Sequence, residues 1–271
     1  MLRQSYLNTM RGLEGGLRVA DIAVYELETC EPNESIAEVR RRARRFDLDN
    51  IPVRDTGTIV GVVEDIKSYR TEVSAASVAA PLTEAMLVAG SRSLLGFLPT
   101  IADRGYRLVM DESGIRGVVT PSDVVQLPVR LLIFALLAHL EELMRANIRQ
   151  QEPDDDMSVQ HLNSARLKEV QKTLRLQKKK GLNPRPLDVT QFIDKTNLLS
   201  ELEVIEGSAG DRRLFTELYE LRNKVDHVDR YAETPKKLGD FLRHIRELET
   251  WIQRLTDALP DDFPAVEIPH P

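Results

Sequence analysis

The sequence predicts an α+β domain made of two copies of one unit, followed by an all-α helical bundle. The first observation is an internal repeat. Pro52-Val53-Arg54-Asp55…Gly61-Val62-Val63 and Leu108-Val109-Met110-Asp111…Gly117-Val118-Val119 place their Asp and their Gly-Val-Val at matching offsets. The second is a change of period. Up to about Gln126, short β-rich runs alternate with helical ones across turns of Gly, Pro, Asp and Ser; beyond Leu127, apolar residues recur at helical spacing as far as Ala258. A length of 271 residues suits two domains with ordinary cores. The expected division is therefore 1–126, 127–258 and a loosely ordered tail over 259–271, where four prolines interrupt any period.

Each copy reads as a helix, an apolar strand ending in Asp, a Gly-containing hairpin turn, and a second strand beginning Gly-Val-Val. In the first copy Ile36, Val39, Ala43 and Phe46 fall at spacings of 3, 4 and 3, one apolar stripe turned toward a sheet. The Arg40-Arg41-Arg42 and Arg44-Arg45 cluster occupies the opposite face and reads as a solvated charge run. In the second half, breakers such as Glu152-Pro153-Asp154 and Gly207-Ser208-Ala209-Gly210 leave five expected helices, at 128–151, 159–180, 189–205, 211–228 and 236–258. Short connections between them favour antiparallel packing.

Composition narrows the class. Cys30 is the single cysteine, so no internal disulfide is expected, and the opening MLRQSYLNTMRGLEGG lacks the apolar run of a secretory signal; a reducing cytosol is the expected compartment. The apolar run Leu131 to Leu140 is about half of the roughly 20 residues a membrane span requires and reads as a buried core helix. A net charge of −6 argues against an indiscriminate nucleic-acid binder, so any RNA contact must be local.

The repeat resembles the CBS-domain family. The first copy matches along Val19-Ala20-Asp21-Ile22, Pro32, the helix from Ser35, Pro52-Val53-x-Asp55 and Gly61-Val62-Val63; the second matches best at Gly117-Val118-Val119-Thr120-Pro121-Ser122-Asp123, the family's Gly-h-h-Thr-x-x-Asp with h apolar. The resemblance covers about the first 126 residues and implies paired modules with clefts for AMP, ATP or related adenosyl ligands. It carries nucleotide binding onto Thr120 and Asp123. A carboxylate offers two acceptors to paired ribose hydroxyls, and a threonine hydroxyl can donate to a phosphate oxygen. The same residues, just before Val124-Val125, also read as an ordinary helix N-cap. The first copy departs from the pattern at Gly61-Val62-Val63-Glu64-Asp65-Ile66, so one functional site is expected rather than two.

In the helical half, Leu214, Leu218, Leu221 and Val225 form a core stripe with Arg222, Asn223 and His227 beside it. Asn223 and His227 are neighbours, about 40° apart around the axis, whereas Arg222 lies about 140° from His227. A two-fold axis joining two copies would let triplets from both line one cleft. A histidine titrating near neutrality suits a base at a ribose 2′-hydroxyl, a guanidinium suits the charge of a phosphorane-like transition state, and Asn223 suits orienting the imidazole or holding a phosphate oxygen.

This constellation resembles the HEPN superfamily, whose ribonucleases carry Arg-x(4–6)-His with a polar residue after the Arg. The resemblance covers the chain from about residue 128 and implies catalytic Arg222, Asn223 and His227, a homodimer or higher oligomer, metal-independent cleavage leaving 2′,3′-cyclic phosphate, and use as a toxin or in phage defence. It requires no catalytic cofactor, and leaves an antitoxin partner open. The bland alternative pairs Arg222 with Asp226 at i,i+4 and makes His227 a C-terminal cap. From Arg166 to Arg185 eight basic residues face one acid, Glu169, which makes Lys172, Arg175, Lys178, Lys179 and Lys180 the candidate RNA contacts; a solvated helix face is the rival. At the level of the whole chain, the alternatives are a non-catalytic adenine-nucleotide sensor whose helical domain dimerises or recruits a partner, and, ranked last, a nucleotidyl- or phosphotransferase. The latter lacks a phosphate-cradling glycine loop.

Overall fold

The computed structural model describes residues 2–226, 232 and 234–260, which divide into two compact units. One holds residues 17–128; the other joins residues 2–16 to the described residues from Val129 on. The opening helix α1, Leu2–Gly16, therefore belongs to the helical unit, not to the α/β domain in which the 1–126 division places it. Most of the expected tail lies outside the described residues, and Leu259, at its start, is buried against the helical core.

The α/β unit is built twice. In the first copy α2, Ile36–Arg45, is opened by a reciprocal cap between Ser35 and Glu38. β1, Ile51–Asp55, and β2, Thr58–Val63, form an antiparallel hairpin that turns at Thr56 and Gly57, both with positive φ, as a two-residue loop of this hand requires. After α3, Ala75–Val78, the short β3, Ala80–Pro81, pairs with β2. The second copy has β4, Leu87–Ala89, parallel to β5, Arg107–Asp111, with α4, Leu94–Phe97, between them, and β5 antiparallel to β6, Gly114–Val119.

The two hairpins share one register. Val53 faces Gly61 and Val109 faces Gly117, each with a bulge one residue later. The second strands therefore start three residues before the Gly-Val-Val, at Thr58 and Gly114, and not at the glycine as the sequence pattern implies. The glycines themselves admit close neighbours: a Cβ on Gly61 would stand 2.7 Å from the Ala80 carbonyl oxygen, and one on Gly117 would stand 3.0 Å from that of Val24.

Ile36, Val39 and Ala43 of α2 join the first copy's core. Phe46 does not. The helix ends at Arg45, and Phe46 is its cap, with φ −115° and its side chain exposed. Nor is the arginine run simply solvated. Arg40 donates to the carbonyls of Ile66 and Tyr69, and Arg42 is held by Glu28 and Glu34.

The helical unit is completed by α5, Leu127–Gln151, α6, Asp155–Ser158, α7, Ser164–Lys179, α8, Phe192–Glu201, α9, Ala209–Asp226, and α10, Pro235–Ala258. The expected helix 159–180 starts later because Asn163 caps α7, accepting from the Arg166 amide. Thr234 likewise caps α10 beside Pro235 at its first position. Phe192, Phe215 and Trp251 pack in series in the core as tilted ring pairs, with centroids 6.2 and 4.9 Å apart. The run Leu131 to Leu140 lies inside α5, and among the described residues no helix is long and apolar enough to cross a membrane.

Candidate functional site

Thr120 and Asp123 flank the turn that follows β6, and both line a cleft of about 560 Å³ within the α/β unit. Its walls come from both copies: Leu48, Pro52 and Val62 from the first, Leu108 and Val118 from the second. The corner is organised by its own hydrogen bonds. Asp123 Oδ2 accepts from the Thr120 amide at 2.6 Å and from Thr120 Oγ1 at 2.9 Å, while Oδ1 accepts from Gln126 Nε2 at 2.8 Å. Capping and cleft-lining roles thus coexist on one carboxylate. A carboxylate has about four acceptor positions, so one remains for a ligand hydroxyl. The apolar walls and the exposed Phe46 ring at the rim offer surfaces for a flat base.

The family model of the CBS domain matches residues 19–69, the greater part of the first copy. This stretch is a CBS domain. The CBS domain of the bacterial CNNM/CorC family Mg2+ transporter in complex with ATP is 21% identical, with a TM-score of 0.37, covering 48% of this chain and 97% of that one. CBSX2 in complex with AMP is 21% identical, with a TM-score of 0.36 and coverage of 43% and 98%. The CBS domain protein TA0289 of Thermoplasma acidophilum is 18% identical, with a TM-score of 0.34 and coverage of 44% and 75%. No curated protein matches the chain.

The two copies of this CBS-type unit are not equivalent. Where the second has Thr120, the first has Glu64, which stands directly after the Gly-Val-Val as Thr120 does. The Glu64 carboxylate accepts from the Tyr106 hydroxyl at 2.6 Å and pairs with Arg104. Burial, reinforced by the bond to Glu64, holds the Tyr106 phenol well above the usual tyrosine range. The pseudo-equivalent corner is thus occupied by a side-chain cluster that the missing threonine hinted at and the sequence did not otherwise reveal. A second cleft, about 750 Å³, lies along Thr29 to Glu34 and Arg54 to Gly57 and includes neither Thr120 nor Asp123.

In the helical unit, α9 carries Arg222 half-buried and Asn223 exposed; His227 lies outside the described residues. Arg222 Nη1 stands 3.0 Å from Oε2 of Glu141 on α5. Oε1 of the same carboxylate is 3.1 Å from Nζ of Lys195, a fully buried side chain on α8 that also donates to the Thr190 carbonyl at 2.7 Å. Burial lowers the Lys195 pKa and Glu141 acts against that lowering. Sequence spacing gave no sign of this three-helix cluster.

The basic run from Arg166 to Arg185 splits in two. Arg166 grips the buried Asp194 in a two-pronged pair at 2.8 and 2.7 Å, and Arg185 joins Arg149 on the buried Asp155. These arginines staple the unit. Lys172 lies 3.7 Å from Glu169, while Arg175, Lys178, Lys179 and Lys180 are exposed and have no ion-pair partner among the described residues. His139 is a core residue, its ring 5.4 Å from that of Tyr6 and its Nε2 buried without a hydrogen bond.

Proposed function

We propose that the α/β unit senses an adenine nucleotide or related adenosyl ligand in the cleft at Thr120 and Asp123, and that the helical unit is its effector. The observation that carries the sensing half is the coincidence of the Thr-x-x-Asp corner with a cleft of about 560 Å³ walled by apolar residues of both copies. Two of the similar solved structures are complexes with ATP and AMP, which agrees with this ligand class.

The effector reading is a metal-independent endoribonuclease of HEPN type, acting as a dimer. Arg222 and Asn223 reach the surface at the end of α9, and Arg175, Lys178, Lys179 and Lys180 supply unpaired positive charge for a phosphate backbone. His227 is the base and Arg222 the transition-state cation. Ligand binding alters the packing of the paired modules, and the change passes along α5, which starts at Leu127.

The second reading is a non-catalytic sensor, and the Arg222–Glu141 pair favours it by giving Arg222 a structural task. One experiment separates the two. Purified protein is incubated with total RNA in EDTA, with and without AMP or ATP, beside His227→Ala and Arg222→Ala. Cleavage by the parent that both variants lose supports the ribonuclease. Intact RNA throughout, or equal degradation by the variants, leaves the sensor.

A further inference from the structure

The charge around the Thr120 and Asp123 cleft decides which adenosyl ligand it can take. Five acidic residues line it, Glu26, Glu28, Asp47, Asp49 and Asp123, and among the described residues no Lys, Arg or His does. Three are compensated. Glu28 is paired with Arg42 at 2.8 Å, Asp49 with Lys67 at 2.6 Å, and Asp123 is tied into the Thr120 turn and to Gln126. Glu26 and Asp47 form no ion pair among the described residues, and although the Lys67 ammonium that pairs with Asp49 also feels Asp47, the carboxylates outnumber the nearby cations and set a negative potential in the cleft.

The hydroxyl protons point the same way. Thr120 Oγ1 donates to Asp123 Oδ2 and lies 2.7 Å from Ser122 Oγ. The threonine proton that a phosphate would use is thus committed to a carboxylate within the turn. What this corner offers a ligand is lone pairs, which suit ribose hydroxyls, an exocyclic amine or a cation, and which repel a phosphate chain.

Resting on the cleft being the adenosyl site, we infer that it selects adenosyl ligands whose 5′ substituent carries no net negative charge, and discriminates against free AMP and ATP. Recognition lies in the base and the ribose. A 5′-phosphate brings its charge toward Glu26 and Asp47 without a cation to meet it.

The test is calorimetric titration of the full chain in EDTA with adenosine, S-adenosylmethionine, AMP and ATP. Adenosine and S-adenosylmethionine are expected to bind at least about tenfold more tightly than AMP or ATP. The double variant Glu26→Gln, Asp47→Asn removes both carboxylates that lack an ion pair. Asp47 sits at φ 51°, a conformation asparagine also tolerates, so the turn is preserved. In that variant AMP affinity rises until its ratio to adenosine approaches unity. AMP or ATP binding the parent as tightly as adenosine, or a ratio unchanged in the double variant, overturns the inference. Absence of binding by every adenosyl compound, or binding that survives Asp123→Ala intact, overturns the cleft as the site as well.

Discussion

Arg222 of α9 and Glu141 of α5 form an ion pair, Nη1 to Oε2 at 3.0 Å, that shares its carboxylate with the buried ammonium of Lys195. The two cations are unequal dependants. Lys195 is fully buried, whereas the Arg222 side chain retains 38% exposure and has further N–H groups free to meet a phosphate. Neutralising Glu141 strands Lys195 and only partly affects Arg222. Glu141→Gln is therefore expected to cost about 3 kcal/mol, and Arg222→Ala about 1 kcal/mol. Urea unfolding followed by fluorescence of Trp251, the only tryptophan and buried in the helical unit, measures both. The opposite order of losses would make Arg222 the structural keystone and weaken its catalytic assignment.

Acid should destabilise the helical unit in two stages. Burial pushes the His139 imidazole down to about 4, so the folded state favours the neutral ring. Its contribution is complete above the unfolded value near 6.5 and is lost as pH falls from there toward 4, about 3 kcal/mol in all. Glu217 is held down at about 2, first by its hydrogen bond from His244 and then by Arg243 and Arg213. Its contribution is present above about 4.5 and is lost as pH falls toward 2, worth about 2 kcal/mol because solvent screens this partly exposed side chain more than it does His139. His139→Phe is expected to flatten only the upper limb of a stability–pH curve, and Glu217→Gln only the lower. Curves that keep both limbs in both variants would show that other groups govern the acid response.

The paired glycines of the repeat give a graded prediction for the α/β unit. In Gly61→Ala the new methyl meets a backbone oxygen at 2.7 Å, which only a strand shift can relieve, so a loss of about 2 kcal/mol is expected. In Gly117→Ala the approach is 3.0 Å, and the loss should be nearer about 1 kcal/mol. Thermal melts by far-UV circular dichroism rank them; equal or inverted losses would remove strand proximity as the reason for these glycines.

What the sequence disclosed follows from what local patterns encode. Gly61 and Gly117 are demanded by backbone proximity, so the repeat was visible, whereas the Asn163 cap that starts α7 lay inside the expected helix 159–180 and was passed over. Phe46 misled because a period of 3.6 continues on paper past the residue where the helix stops. The docking of α1 was hidden because its partners lie far along the chain, Tyr6 against His139 among them. Ion pairs such as Arg222 with Glu141 bridge helices whose facing positions no single-helix pattern reveals. The acidity of the Thr120 cleft is of the same kind, since Glu26, Asp47 and Asp123 come together only in space.

Glu64 distinguishes a closed corner from an unused one. Its carboxylate is shared by the Tyr106 hydroxyl and Arg104, so the three side chains should behave as one unit and their substitutions should not add. Glu64→Gln and Tyr106→Phe are each expected to cost about 1 kcal/mol, and the double variant less than their sum by about 0.5–1 kcal/mol, because either change already dismantles the shared contact. Additive losses in a double-mutant cycle would mean the contact carries no coupling. In that case the inequality of the two CBS-type corners would rest on the residues themselves, Glu64 in place of Thr120 and Lys67 in place of Asp123, and the paired substitution Glu64→Thr with Lys67→Asp, which restores both groups and frees Arg104, should yield a second adenosyl-binding event in titration. With the cluster intact as a coupled unit, the same substitution instead leaves Arg104 without its carboxylate beside Tyr106, and the expected result is lower stability with a single binding event.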